Sequence, residues 1–101
     1  MSLPVIVLDP RDSVAVALVD LSAGQRCEVR VGPAVREVEL REDIPFGHKF
    51  ALHPIARGVG VLKYGEVIGH STAEIEQGAW VHLHNLASSR GHDQLQGGGA
   101  L

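Results

Sequence analysis

Short apolar stretches alternate with turn residues along most of this chain. Residues 5–8 are apolar and end at Asp9 and Pro10, and residues 14–19 form a continuous apolar run. The β-branched content of that run favours a buried strand over a short helix. Residues 29–31 and 35–40 alternate apolar and charged positions around Gly32 and Pro33, which predicts a hairpin with one solvated face. No stretch of about ten residues has a helical period, so the pattern predicts an all-β fold of short strands and turns.

A four-residue motif of one aliphatic residue, two variable residues and a glycine occurs at 21–24, 44–47, 55–58 and 75–78. We interpret each copy as a tight turn that anchors the aliphatic side chain in the core. Its glycine supplies the positive φ needed to start the next strand. The copies are irregularly spaced, which predicts a compact fold and not a solenoid. Three copies follow an acidic residue, namely Asp20, Asp43 and Glu74.

Composition limits the domain organisation and the partners. The 101 residues suffice for one domain, which we place at 4–86. From residue 87 the periodicity is lost and glycine and serine accumulate, so 87–101 is predicted to be a flexible tail. The chain carries 9 basic and 12 acidic residues and has no basic run, so nucleic acid and anionic membrane are poor partners.

The single cysteine and the apolar stretches bear on the compartment. Cys27 has no second thiol with which to form an internal disulfide, as is typical of a reducing compartment. The amino-terminal apolar run lacks a basic n-region, and no stretch approaches the roughly 18 apolar residues of a membrane helix. We therefore expect a soluble, cytoplasmic protein.

His82 and His84 are the first candidates for chemistry. On a strand, residues two apart share a face, so the two imidazoles would point the same way while Val81 and Leu83 point into the core. Such a pair can bind one metal ion and leave open coordination positions, and Asn85 would orient a ligand or a substrate hydroxyl. The alternative is an exposed polar strand face that carries histidine by chance.

Two further groups of residues could carry chemistry. His48 and Lys49 directly follow a turn glycine, where either could meet a carboxylate or act as a general base. In the segment that begins at Lys63, the lysine could hold an anion, Tyr64 could donate a proton and Glu66 could act as a ligand or base. The alternatives are a solvated loop for the first group and a turn with ordinary surface charges for the second.

Taken in order, these motifs resemble one family, the SAF-type N-terminal domain of altronate and galactarate dehydratases. The same domain occurs in that family as the separate small subunit of sulfolactate sulfo-lyase. The resemblance covers residues 4–86 and rests on DSVAVA from Asp12, IPFGHKFAL from Ile44, IARG from Ile55, KYGEVIG from Lys63 and IEQGAWVHLHNL from Ile75.

The resemblance implies a β-clip fold and a cytoplasmic lyase subunit that is not active alone. It implies removal of a proton α to the carboxylate of a small hydroxy acid and loss of water, which gives a 2-keto-3-deoxy acid. A separate large subunit would hold most of a divalent metal site, with iron as the metal. Implied catalytic residues are His48, Lys49, Lys63 and Glu66; implied substrate-binding residues are Tyr64 and Asn85; implied metal ligands are His82 and His84.

Three alternatives to this function remain. The chain could be the small subunit of a sulfolactate sulfo-lyase, which expels sulfite in place of water. It could also be a non-catalytic sugar-acid-binding module that closes over substrate, or a stand-alone β-clip without a lyase partner. Because the sequence ends just after the SAF-like region, we expect the large catalytic part to be another polypeptide.

Overall fold

The structure, a computed structural model, describes residues 4–88, and in this range the chain is all-β, as the sequence pattern predicted. No helix within these residues is long and apolar enough to cross a membrane. The strands are β1 (Val5–Ile6), β2 (Val14–Ala17), β3 (Arg26–Val31), β4 (Ala34–Glu39), β5 (Lys49–Ala51), β6 (Gly60–Lys63), β7 (Glu66–Ser71), β8 (Trp80–Val81) and β9 (Leu86–Ser88).

The strands pair in three antiparallel sheets. One sheet has four strands in the order β1-β2-β5-β8, a second is the β3-β4 hairpin, and the third has the order β6-β7-β9. The hairpin turns at Gly32 and Pro33 as predicted, since Val31 pairs with Ala34 across it. β6 and β7 connect through a two-residue turn, because Lys63 pairs with Glu66.

β2 and β5 lie between two hydrophobic clusters, which explains why β2 is apolar at every position. Ala15, Ala17 and Phe50 belong to one cluster, while Val14 and Ala51 on the same two strands belong to the other. Alternate residues of a strand point to opposite faces, so a strand buried on both faces needs an unbroken apolar run. The predicted strand was too long by two residues, because β2 ends at Ala17 and the following Leu18 and Val19 are exposed.

The four predicted turns form and associate in pairs. Leu21 and Ile44 exchange both backbone hydrogen bonds at 2.9 Å, and Ile55 and Ile75 do the same at 2.8 Å. All four of these side chains are buried. The glycine that ends each turn has a φ between 83° and 86°, and its N–H donates to a carbonyl of a neighbouring segment at 2.8–2.9 Å.

Two aspartates join the first pair of turns reciprocally. The Asp20 carboxylate accepts a hydrogen bond from the backbone N–H of Phe46 at 2.8 Å, and the Asp43 carboxylate accepts one from the N–H of Ala23 at 2.8 Å. The acidic residue before one turn therefore binds the backbone of the other. Glu74, the third acid of the motif, makes no such bond within residues 4–88.

The carboxyl-terminal boundary differs in part from the prediction. Ala87 and Ser88 lie in β9, where Ala87 pairs with His70 and Ser88 with Gly69 of β7. Residues 89–101 of the predicted tail lie outside the described residues.

Candidate functional site

Trp80 is the centre of a cluster that contains all three predicted site histidines. The His82 ring stacks on the indole with ring centroids 5.1 Å apart and an interplanar angle of 6°. The His84 and His48 rings each lie with their centroids 5.5 Å from that of Trp80. His48 and His82 also contact each other, with centroids 4.9 Å apart.

Hydrogen bonds fix Trp80 in this cluster. Its backbone N–H donates to the Glu42 carboxylate at 3.0 Å, and its indole N–H donates to Nδ1 of His48 at 3.3 Å. Because an indole nitrogen only donates, Nδ1 of His48 must accept, which places the proton of the neutral ring on Nε2. His48 therefore offers an N–H donor on the side away from Trp80.

The strand geometry that the sequence predicted for His82 and His84 is wrong. β8 ends at Val81, and residues 82–85 form a turn in which Leu83 is exposed instead of packed in the core. Both imidazoles nevertheless reach Trp80, because the turn folds back toward β8.

Asn85 closes this turn with both ends of its side-chain amide. Its Oδ1 accepts a hydrogen bond from the N–H of His82 at 2.9 Å, and its Nδ2 donates to the carbonyl of Trp80 at 2.9 Å. The residue is buried. With one hydrogen bond from each polar atom to the backbone, Asn85 positions His82. The substrate contact predicted for Asn85 stays a prediction.

Of the two predicted lysines, Lys49 lies beside the histidines, because it pairs with Val81 of β8. Both Lys49, which begins β5, and Lys63, which ends β6, are half-buried. Burial lowers the pKa of Lys49, and the nearby positive charge of Lys63 lowers it further. Burial also lowers the pKa of His82, followed by the charges of Lys49, His48 and His84.

Lys63 lies at the edge of a turn with an unusual backbone. The next residue, Tyr64, has a φ of 56°, and Gly65 has a φ of 81°, the pair of positive values that defines a type I′ hairpin turn. A tyrosine seldom adopts such a φ, and the strain of order 1–2 kcal/mol must be offset elsewhere. One contribution is the 2.8 Å hydrogen bond that the Gly65 N–H donates to the buried Asp12 carboxylate.

The predicted site residues thus do not all gather in one place. Tyr64 contacts Lys63, whose Nζ lies 5.0 Å from the centre of the tyrosine ring, and neither residue makes a ring contact or hydrogen bond with the Trp80 cluster among the described residues. Glu66 is exposed and forms no ion pair with a described residue. Sequence reasoning missed Trp80, although the only tryptophan of the chain directly precedes the His82 segment.

The donor set within residues 4–88 does not fit a complete metal site. No group of three or more histidine, cysteine, aspartate or glutamate side chains in this range could hold a metal ion. His82 and His84 could therefore supply at most part of a coordination shell.

A separate groove of about 420 Å³ lies beside the second pair of turns. Ile55 and Ile75 form part of its wall. Arg41 and Glu76, which also line it, approach each other to 3.7 Å. None of the predicted site residues lines this groove, so it is distinct from the Trp80 cluster.

Comparison with known proteins connects this geometry to a family. The family model described as the altronate/galactarate dehydratase SAF domain matches residues 3–89. The chain is 51% identical over 78 residues to altronate dehydratase of Escherichia coli, covering 77% of this chain and 15% of that protein. It is 34% identical to altronate dehydratase of Bacillus subtilis, covering 89% of this chain and 17% of that protein. These dehydratases are therefore several times longer than the matched region.

A relative of similar length also exists. The subunit alpha of (2R)-sulfolactate sulfo-lyase from Chromohalobacter salexigens is 37% identical over 93 residues, covering 89% of this chain and 99% of that subunit. Both the family model and this relative extend over nearly all of the described residues. The chain belongs to the family of altronate/galactarate dehydratase SAF domains.

Proposed function

We propose that this chain is the SAF-domain subunit of a hydroxy-acid lyase, of the altronate/galactarate dehydratase type, and that it acts with a separate large catalytic subunit. The observation that carries the proposal is the convergence of His48, His82 and His84 on Trp80, with Lys49 on the strand that pairs with β8. A cationic, partly buried cluster of this kind is suited to an acidic substrate.

In the proposed reaction, a base removes the proton α to the carboxylate and the β-hydroxyl leaves as water. The resulting enol becomes a 2-keto-3-deoxy acid. Negative charge develops on the substrate as the proton leaves, and the lysines and the Nε2–H of His48 could stabilise it. Lys49, whose pKa is lowered by burial and by Lys63, is the candidate acid or base on this chain.

A divalent metal ion, with iron as the expected metal, would add Lewis-acid stabilisation of the enediolate. Because residues 4–88 offer no group of three candidate ligands, we propose that the large subunit holds most of the metal site. His82 and His84 would lie at its border.

The length of the relatives supports a large partner. The matched region spans only 15% and 17% of two altronate dehydratases, so in those proteins the SAF domain is joined to a much larger part. We extend this arrangement to the present chain as an association between two polypeptides. The β-clip description and a cytoplasmic location belong to the same proposal.

A second candidate function is that of a sulfolactate sulfo-lyase subunit. The observation in its favour is the 99% coverage of the sulfo-lyase subunit alpha by this chain. The two candidates differ in the group expelled, which is water in one case and sulfite in the other. Assaying sulfite beside 2-keto acid with each substrate distinguishes them.

The test is turnover by the complex formed when this chain is co-expressed with a large dehydratase chain from the same genome. His82→Ala and His84→Ala should each lower kcat by roughly tenfold or more, the usual range for a group that contributes to proton transfer or charge stabilisation. The matched control is His70→Ala, because His70 is exposed on β7 and makes no ring contact with the Trp80 cluster.

Metal content of the complex is measured on the same samples. Unchanged turnover and unchanged metal content in both histidine variants would remove the pair from the active site. A rise in KM without loss of kcat would instead favour the non-catalytic binding module.

A further inference from the structure

Phe46 is the most exposed large hydrophobic side chain within residues 4–88, with 65% of its surface accessible. The other phenylalanine, Phe50, is fully buried in the core. Phe46 occupies the third position of its turn motif, where the other three copies carry Ala23, Arg57 and Gln77. All four turns form, so an aromatic ring at this position is not needed for the turn.

The backbone contacts of Phe46 lead to the same conclusion. Its N–H donates to the Asp20 carboxylate at 2.8 Å. Ala23, the equivalent residue of the paired turn, donates its N–H to the Asp43 carboxylate at the same distance. Alanine therefore makes the same backbone contact as phenylalanine, and the phenyl ring adds nothing to it. An exposed aromatic ring without a part in the fold is typical of a binding surface.

Two further exposed apolar residues lie on the segment beside Phe46. The apolar run of β2 continues past the end of the strand to Leu18 and Val19, and both are exposed. This segment lies against the turn, because the N–H of Gly47 donates to the carbonyl of Ala17 at 2.8 Å. Single exposed apolar residues are common on soluble proteins, but three on adjacent segments form an apolar patch. We call Leu18, Val19 and Phe46 the Phe46 patch.

The Phe46 patch borders the Trp80 cluster. His48 follows Phe46 by two residues, and Nδ1 of its ring accepts the indole N–H of Trp80 at 3.3 Å. The carbonyl of His48 also accepts a hydrogen bond at 2.8 Å from the N–H of Ala17, which directly precedes Leu18. A chain that covers the patch would therefore also close over the histidines.

The relatives and the site indicate what covers the patch. In the two altronate dehydratases, the region that resembles this chain is joined to a much larger part, and the relative of similar length is one subunit of a lyase. The described residues offer no complete metal site, so the Trp80 cluster needs groups from another part of the enzyme. A large lyase chain docked on the patch would bring such groups beside the cluster.

We propose that the Phe46 patch is the docking surface for the large lyase chain, and that Phe46 inserts its ring into an apolar pocket of that chain. The identity of this partner rests on the proposed function. A buried aromatic anchor at the centre of an interface contributes more to affinity than the contacts around it. Leu18 and Val19 surround the anchor and exclude water from it.

The first experiment measures association of the full chain with the large dehydratase chain from the same genome by isothermal titration calorimetry. Phe46→Ser should raise Kd roughly thirtyfold, the loss expected for an aromatic anchor. Phe46→Leu, which keeps an apolar side chain, should raise Kd less. Val67→Ser is the matched control, because Val67 is exposed on β7 in a different sheet, and it should leave Kd unchanged. Circular dichroism and Tm check that each variant is folded.

The second experiment tests the contact itself, because Phe46 is close in sequence to His48. A photoreactive p-benzoylphenylalanine at position 46 should crosslink to the large chain in the complex, and the same residue at position 67 should not. Equal Kd for Phe46→Ser and wild type, without a crosslink from position 46, would overturn the docking surface. Crosslinks from position 46 to a second copy of this chain, and none to the large chain, would also overturn it, because the partner would then be another copy.

The docking surface and the proposed function can fail separately. If Phe46→Ser binds as tightly as wild type while His84→Ala still lowers turnover of the complex, the docking surface is wrong and the proposed function stands. If Phe46→Ser weakens the complex but wild-type complex eliminates neither water nor sulfite from any hydroxy acid, the docking surface stands and the proposed reaction fails. A wild-type chain that binds no large chain would contradict both.

Discussion

Replacing Asp43 by alanine removes the carboxylate that accepts the Ala23 N–H at 2.8 Å, and replacing Asp20 removes the one that accepts the Phe46 N–H at 2.8 Å. Both bonds are exposed, so water can replace the lost acceptor. Each variant should therefore lose about 1 kcal/mol of its free energy of unfolding, which is at the low end of what a charge-assisted hydrogen bond contributes. For a domain of this size that lowers Tm by roughly 4–8 °C.

The two substitutions should not be independent. Both act on turns that Leu21 and Ile44 hold together through a pair of backbone hydrogen bonds. Loss of one carboxylate loosens the contact that the other depends on, so the double variant should lose less than the sum, about 1.5 kcal/mol. Urea unfolding followed by the fluorescence of Trp80, the only tryptophan, measures each free energy of unfolding.

Glu74→Ala is the control within the same chain. Glu74 occupies the equivalent motif position but makes no hydrogen bond with a described residue, so its replacement should change stability by less than about 0.5 kcal/mol. Asp43→Asn, which keeps an oxygen acceptor and loses the charge, should fall between wild type and Asp43→Ala. Equal stability of the Asp43→Ala and Glu74→Ala variants would refute the reasoning.

Three further predictions concern the backbone and the lysines. Gly78→Ala should lower the free energy of unfolding by about 3 kcal/mol or prevent folding, because the added Cβ would overlap the carbonyl oxygen of Glu39 in β4. Gly24→Ala is the control, because Gly24 has a similar φ but open space around it, and it should cost about 1 kcal/mol. Urea unfolding measures both. Tyr64→Asn should raise stability by about 0.5–1 kcal/mol, seen as a higher Tm, because asparagine tolerates a φ of 56° better; a lower Tm would contradict the strain argument. Lys63→Gln should raise the pKa of Lys49 toward its ordinary value of 10.5, as NMR titration of Lys49 would show. The pKa of Lys49 is lower in the folded state than in the unfolded state, so between these two pKa values the unfolded state binds more protons. The free energy of unfolding of the wild type therefore rises with pH up to about 10.5, and it should rise less in the Lys63→Gln variant. An unchanged pKa of Lys49 in the variant would mean that the two lysines do not interact.

The fold class and the turns could be predicted because their causes are local. The four-residue motif alone predicts a turn whose final glycine has a positive φ, and the glycine of each copy has such a φ. The alternation of apolar and charged residues around Gly32 and Pro33 likewise predicted the β3-β4 hairpin. The register of this hairpin follows from its short turn. The sequence did not predict how the turns pair, because the Leu21–Ile44 and Ile55–Ile75 contacts depend on the path of the whole chain.

The sequence singled out the three histidines that the structure brings together around Trp80, but it did not predict their geometry. The alternation from Val81 to Asn85 suggested a strand, but the Asn85 amide accepts from the N–H of His82 and donates to the carbonyl of Trp80, which stabilises a turn instead. The contact between His48 and Trp80 joins residues 32 positions apart, so nothing in the local pattern could indicate it.

The two pairs of turns differ in the carboxylate bonds that close them. Aspartates tie both sides of the first pair, whereas in the second pair Pro54 occupies one of the equivalent positions and Glu74 leaves the other without a bond in the described range. Sub-global opening should therefore begin at the second pair, and the Ile55 and Ile75 amides should exchange with deuterium sooner than those of Leu21 and Ile44. The 420 Å³ groove lies beside this second pair, so local opening there would widen the groove while the contact between Leu21 and Ile44 stays formed.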